Sequence, residues 1–63
     1  MTEKVKQGSI YMVTLNDGYH SYRVGEVVEC VYNNIYNNIF TNDDGTPQFL
    51  LAKHVSFIGE LEL

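Results

Sequence analysis

Sixty-three residues carrying eight acids against four bases, a net charge of −4, describe one small acidic domain and disfavour the phosphate backbone as a ligand. A single cysteine, Cys30, excludes an internal disulfide and fits a reducing cytoplasm. No apolar stretch approaches a membrane span, and the opening MTEKVKQGS lacks a signal-peptide core. Apolar residues make up 44 %, which excludes the disordered class, and a core this small yields about 3–5 kcal/mol net, with no room for a roofed active-site cleft.

The chain opens on GSIYMV at Gly8, and the phrase returns as GEVVEC at Gly25. A glycine followed by period-two alternation marks a bend entering a half-buried strand. Residues 8–15 are therefore predicted as a strand. The segment Asn16–Ser21 is a polar loop in which Asp17-Gly18 supplies the positive φ of a tight turn. Tyr22–Tyr32, with four valines, is predicted as the longest strand, bent at Gly25. Asn33-Asn34 makes the next turn, and Tyr36–Asn42 is predicted as strand, since asparagine is a poor helix former and β-branched and aromatic residues favour extension. Thr41–Pro47 holds the strongest hairpin turn. Gln48–Leu51 is predicted as a strand, Ala52–His54 as one helical turn, Val55–Ile58 as a last short strand, and residues 1–6 and 59–63 are expected to be flexible ends. The expected fold class is all-β, a barrel of about five short antiparallel strands with one helical turn before the last.

Taken together, Lys6-x-Gly8-x-x-Tyr11-x-Val13, a DG loop, Tyr22-x-Val24-Gly25-Glu26-Val27-Val28-Glu29, Phe40-x-Asn42-Asp43-Asp44-Gly45, Phe49-Leu50 and His54-Val-Ser-Phe-Ile58 resemble the small SH3-like barrels of short bacteriophage proteins. The similarity runs from Lys4 to Ile58 and lies in glycine, turn and alternation positions. It implies a stand-alone barrel, and its members of understood role bind and inhibit a host protein. No functional residue carries over, because the matching positions are structural. The chain departs from nucleic-acid-binding SH3-like barrels, whose loops are basic.

No constellation of catalytic or metal-binding type emerges, and no cofactor is expected. Asp43-Asp44-Gly45 lacks the EF-hand spacing, which would need a ligand where Phe40 stands. His20 and His54 lack zinc-ligand spacing and read as surface histidines. Cys30, inside an apolar run, reads as a core residue, and Ser9, Ser21 and Ser56 sit in no nucleophile motif. An enzyme is not expected.

Alternation of the two main strands points Tyr11, Val13, Leu15, Val28, Cys30 and Tyr32 inward. It leaves Ile10, Met12, Val27 and Val31 outward, with Glu29 between the last two. That face suits a protein interface, unless strong coiling gives one strand two core faces. The leading expectation is a protein-binding module occluding a basic site on a host factor, with Glu26, Val27, Glu29, Val31, Asp43 and Asp44 as contact residues. A homodimer through the same patch is the other use of that face. Two further readings stand beside it: direct nucleic-acid binding through a stacking patch of Tyr19, His20, Tyr22 and Arg23, and a structural subunit of a virion or larger assembly.

Overall fold

The structure, a computed structural model, describes residues 5–60. Five strands follow one another as β1 (Ser9–Val13), β2 (Val27–Asn33), β3 (Asn38–Thr41), β4 (Pro47–Phe49) and, after a 3₁₀ turn at Ala52–His54, β5 (Val55–Glu60). They form one antiparallel sheet in the order β4-β3-β2-β1-β5. This is the all-β arrangement of five short antiparallel strands that the alternation and turn positions predict, with the helical turn at the expected residues.

The inward residues of β1, β2 and β3 meet on one side. Tyr11, Val13, Val28, Cys30 and Phe40 are buried there, joined by Val5, Tyr22 and Leu50. Tyr11 meets Phe40 edge-to-face at 5.6 Å, a geometry favoured by the ring quadrupoles. Burial pushes the Cys30 thiol up, and its Sγ donates to the Tyr32 carbonyl at 3.6 Å. Cys30→Ala should cost about 1–2 kcal/mol, a modest core truncation. The native thiol should resist a thiol reagent that labels the unfolded chain at once.

Several expectations are corrected. The strand predicted from Tyr22 begins only at Val27. Arg23–Glu26 forms a turn, closed by Glu26 N–H on the Arg23 carbonyl at 3.1 Å, with Gly25 at φ +99°. A positive φ at the third turn position is a type II requirement, so Gly25 ends the loop rather than bending a strand. Tyr32, expected inside, is 48 % exposed. The β2–β3 register shifts between Cys30 and Tyr32, so that Tyr32 pairs with Ile39 after Cys30 has paired with Phe40. The inserted residue, Val31, turns Tyr32 to the outer side. Leu15 is exposed because β1 ends at Val13.

Tyr36–Asn42 shortens to Asn38–Thr41. The Asn34 side chain accepts N–H bonds from Tyr36 and Asn37, both at 2.8 Å, and commits the preceding residues to a turn. Gln48–Leu51 becomes Pro47–Phe49, with Leu50 turned into the core. The last strand continues through Gly59 and Glu60, so those two residues are not a frayed end. At the other end Val5 is buried, its carbonyl accepts Asn33 Nδ2 at 2.7 Å, and Lys6 N–H donates to the Tyr11 hydroxyl at 2.8 Å. Val5 and Lys6 are thus held, while the remaining flexible-end expectations, residues 1–4 and 61–63, lie outside the described residues.

Candidate functional site

The outer face of the sheet is built in rows. Met12 stands between Val27 and Ser56, and Ile10 between Glu29 and Gly59, with Thr41 continuing the second row beyond Glu29. Met12 and Val27 are 40 % and 46 % exposed, Val31 is 38 % exposed, and Ile10 is half-buried. The predicted outward face therefore exists, and its apolar side chains reach solvent rather than a second core.

The acids converge on Asn42 from two sides. One pocket of about 140 Å³ is lined by Ile10, Val27, Glu29, Thr41, Asn42 and Asp43. A second, of about 470 Å³, includes Arg23, Glu26, Asn42, Asp44 and Gln48. The hairpin turn explains this convergence. Asn42 Oδ1 accepts N–H bonds from Asp44 and Thr46, both at 3.1 Å, while Gly45 donates to the Asn42 carbonyl at 2.9 Å. The turn holds Asp43 and Asp44 at the end of β3, beside the row that carries Glu29. Among the described residues no cation pairs with Glu29, Asp43 or Asp44.

Glu26 differs from the other three. Its Oε2 accepts Arg23 N–H at 2.6 Å and its Oε1 accepts Asn42 Nδ2 at 3.2 Å. These bonds, the main-chain one first, hold its carboxyl below the usual range. Glu26 ties the Arg23–Glu26 turn to the hairpin, so its charge lies in the site while its geometry serves the fold.

The stacking patch does not assemble. Tyr22 is 2 % exposed, with its hydroxyl shared between the carbonyls of Phe40, at 3.0 Å, and Thr46. Burial, and then the charge of Glu26, raise its pKa. His20 is also buried. Only Tyr19 and Arg23 of the four are exposed, and Tyr19 lies stacked on His54 at 5.1 Å.

Neither histidine is on the surface, against expectation. His54 is fully buried. Its Nδ1 accepts Leu51 N–H at 3.0 Å, which places the ring proton on Nε2, and Nε2 donates to Asp17 Oδ1 at 3.0 Å. His20 repeats the pattern, its Nδ1 accepting Tyr22 N–H at 3.1 Å and its Nε2 donating to the Leu15 carbonyl at 2.8 Å. The two rings meet edge-to-face at 5.0 Å. All four ring nitrogens are engaged within the fold, so an Asp17–His54 pair that resembles a catalytic dyad is a clasp between the Leu15–Tyr22 loop and the 3₁₀ turn. The only signals for it in the sequence are a histidine ending a one-turn helix and an aspartate in a DG loop.

Asp17 is held well below the usual carboxylate range by the His54 hydrogen bond first, then by Lys53, whose Nζ lies 3.1 Å from Oδ2. A lowered folded-state pKa adds stability above the unfolded value, about 3.9, and that stability is lost as pH falls below it toward the folded value. The melting temperature should drop as pH falls through about 4. Asp17→Asn, which keeps an oxygen for His54 Nε2, should flatten part of that drop, leaving the share due to Glu26. An unchanged acid profile in Asp17→Asn would refute the clasp's electrostatic role.

Among the described residues no group of three or more metal-binding side chains occurs, and no helix is long and apolar enough to cross a membrane. No protein-family model matches the chain, and comparison with curated proteins and with solved structures returns no match.

Proposed function

We propose that this chain is a non-enzymatic protein-binding module, and that the outer face of β1, β2 and β3 occludes a basic site on its partner. The observation that carries this reading is one juxtaposition: the exposed Met12–Val27 pair abuts a pocket walled by Glu29 and Asp43. Exposed apolar area supplies affinity, while carboxylates with no cation beside them among the described residues supply orientation and fast encounter with a positively charged surface. If the partner grips nucleic acid, Glu29, Asp43 and Asp44 stand where phosphates would. The resemblance to phage barrels that inhibit host proteins points the same way, and a bacterial factor is the partner it implies.

The test is affinity capture from bacterial lysate, with wild type and two variants run side by side. Val27→Asp should stay folded and lose the captured protein. Asp43→Lys should slow association and flatten its dependence on salt, since the lost charge steers encounter. A partner retained by both variants would refute the site. Salt-sensitive binding to DNA or RNA by the wild type would replace a protein partner with a nucleic acid.

A further inference from the structure

The described acids fall into two sets. Asp17 is engaged by His54 and Lys53, Glu26 by the Arg23 N–H and Asn42, and Glu60 by Lys6. Glu29 and Asp43 pair with no cation among the described residues, and both wall the pocket of about 140 Å³ on the outer face. The described cations do not fill that pocket. Lys6 and Lys53 are held by Glu60 and Asp17, and Arg23 lines the other pocket. Glu29 is half-buried, with Ile10 and Thr41 beside it across the strands and Val27 and Val31 two residues away along β2. A carboxylate partly withdrawn from water among aliphatic side chains gains more from an arriving cation than a fully solvated one. Size narrows the occupant further. A cavity of about 150 Å³ takes one benzene, whereas small-molecule sites begin at about 300 Å³. The pocket admits one side chain of a larger partner.

We propose that this pocket is an arginine socket. One arginine of the partner protein lays its aliphatic stem along Ile10 and Val27 and sets its guanidinium on Glu29 and Asp43. The inference rests on the outer face being a protein-binding surface, and names the group that surface grips. Arginine fits better than lysine for two reasons. Its planar fork of donors can serve two carboxylates at once, while an ammonium acts as a point charge. The guanidinium is also the more weakly hydrated cation, so it loses less on entering an apolar-walled pocket. Exposed Met12 and Val27 beside the pocket give it the apolar surround that excludes water from a buried arginine anchor.

Titration of isotope-labelled protein with acetyl-arginine amide and with acetyl-lysine amide, followed by amide shifts, tests the socket. The Ile10, Val27, Glu29 and Asp43 amides should move along a saturable curve, with arginine about tenfold tighter than lysine, the worth of one additional charge-assisted hydrogen bond. Glu29→Gln keeps the side chain's size and removes its charge. It should leave the melting temperature unchanged and weaken the arginine response about tenfold. Asp43→Asn, in the exposed turn, should weaken it as well and supplies the same comparison if Glu29→Gln disturbs the fold. Equal responses to the two amides would overturn the proposal, as would shifts spread over every carboxylate without saturation. An arginine response unchanged in both folded variants would also overturn it. If the pocket amides stay unmoved while Val27→Asp still loses the captured protein, the socket falls and the binding face stands. If the pocket takes arginine and no protein is captured from lysate, the socket stands and the binding-module reading falls.

Discussion

His54→Ala should leave the protein unfolded at 25 °C, read as loss of a cooperative thermal transition in circular dichroism. The ring fills a fully buried site beneath Tyr19 and beside His20. Emptying a site of that size costs about 2–5 kcal/mol. The Leu51 N–H, which now donates to Nδ1, would be stranded at about 1–3 kcal/mol more. A domain of this length holds about 3–5 kcal/mol in reserve, so the loss matches or exceeds the margin. A histidine on the surface would shift stability by about 0.5 kcal/mol or less. A melting temperature within a few degrees of wild type would therefore return His54 to the surface reading.

The contrast between the two histidines and the strands shows what a sequence of this kind discloses. β1 and the first half of β2 are legible because each carries its own pattern: a glycine, then alternation that sorts Tyr11, Val13, Val28 and Cys30 inward. The Ala52–His54 turn is legible because it is local. His54 is not, because its partners are a main-chain N–H at Leu51 and a carboxylate at Asp17, far along the chain. Tyr32 is misplaced for a related reason. A bulge depends on how β3 lies against β2, and nothing within Cys30–Tyr32 announces it. Gly25 did carry a signal, but a glycine within a run of valines fits a bent strand as well as a type II turn. Only the Arg23–Glu26 bond decides between them.

The candidate site divides along the same line. Val27, Val31 and Glu29 follow from alternation alone, and Asp43 and Asp44 follow from turn chemistry. Their convergence on Asn42 requires the hairpin to fold back beside β2, which is a matter of pairing. Glu26 shows the limit of counting charges, since its two oxygens hold its own turn and Asn42. A second outer row, Tyr32–Ile39–Phe49, was hidden by the same bulge. It leaves Tyr32 and Phe49 about half exposed on β2 and β4.

Tyr22 separates a core role from a ligand-stacking role most sharply. Tyr22→Ala should cost about 3–5 kcal/mol, the range for a buried aromatic truncated to alanine, and should unfold the chain or nearly so. Tyr22→Phe should stay folded and cost about 1–2 kcal/mol, because the ring remains while the Phe40 and Thr46 carbonyls lose their hydroxyl donor. The two variants also differ from wild type in alkali. The phenol's folded-state pKa is raised, mainly by burial, so the native state holds this proton more tightly than the unfolded chain. Stability from this group is intact below the unfolded value of about 10 and is lost as pH rises past it toward the folded value. Tyr22→Phe should remove that alkaline loss. If Tyr22 were one plate of a nucleic-acid stacking patch, Tyr22→Ala would leave the melting temperature unchanged and weaken binding to single strands. The burial of its ring predicts the opposite: a collapse in stability, and no single-strand binding in wild type for the variant to lose.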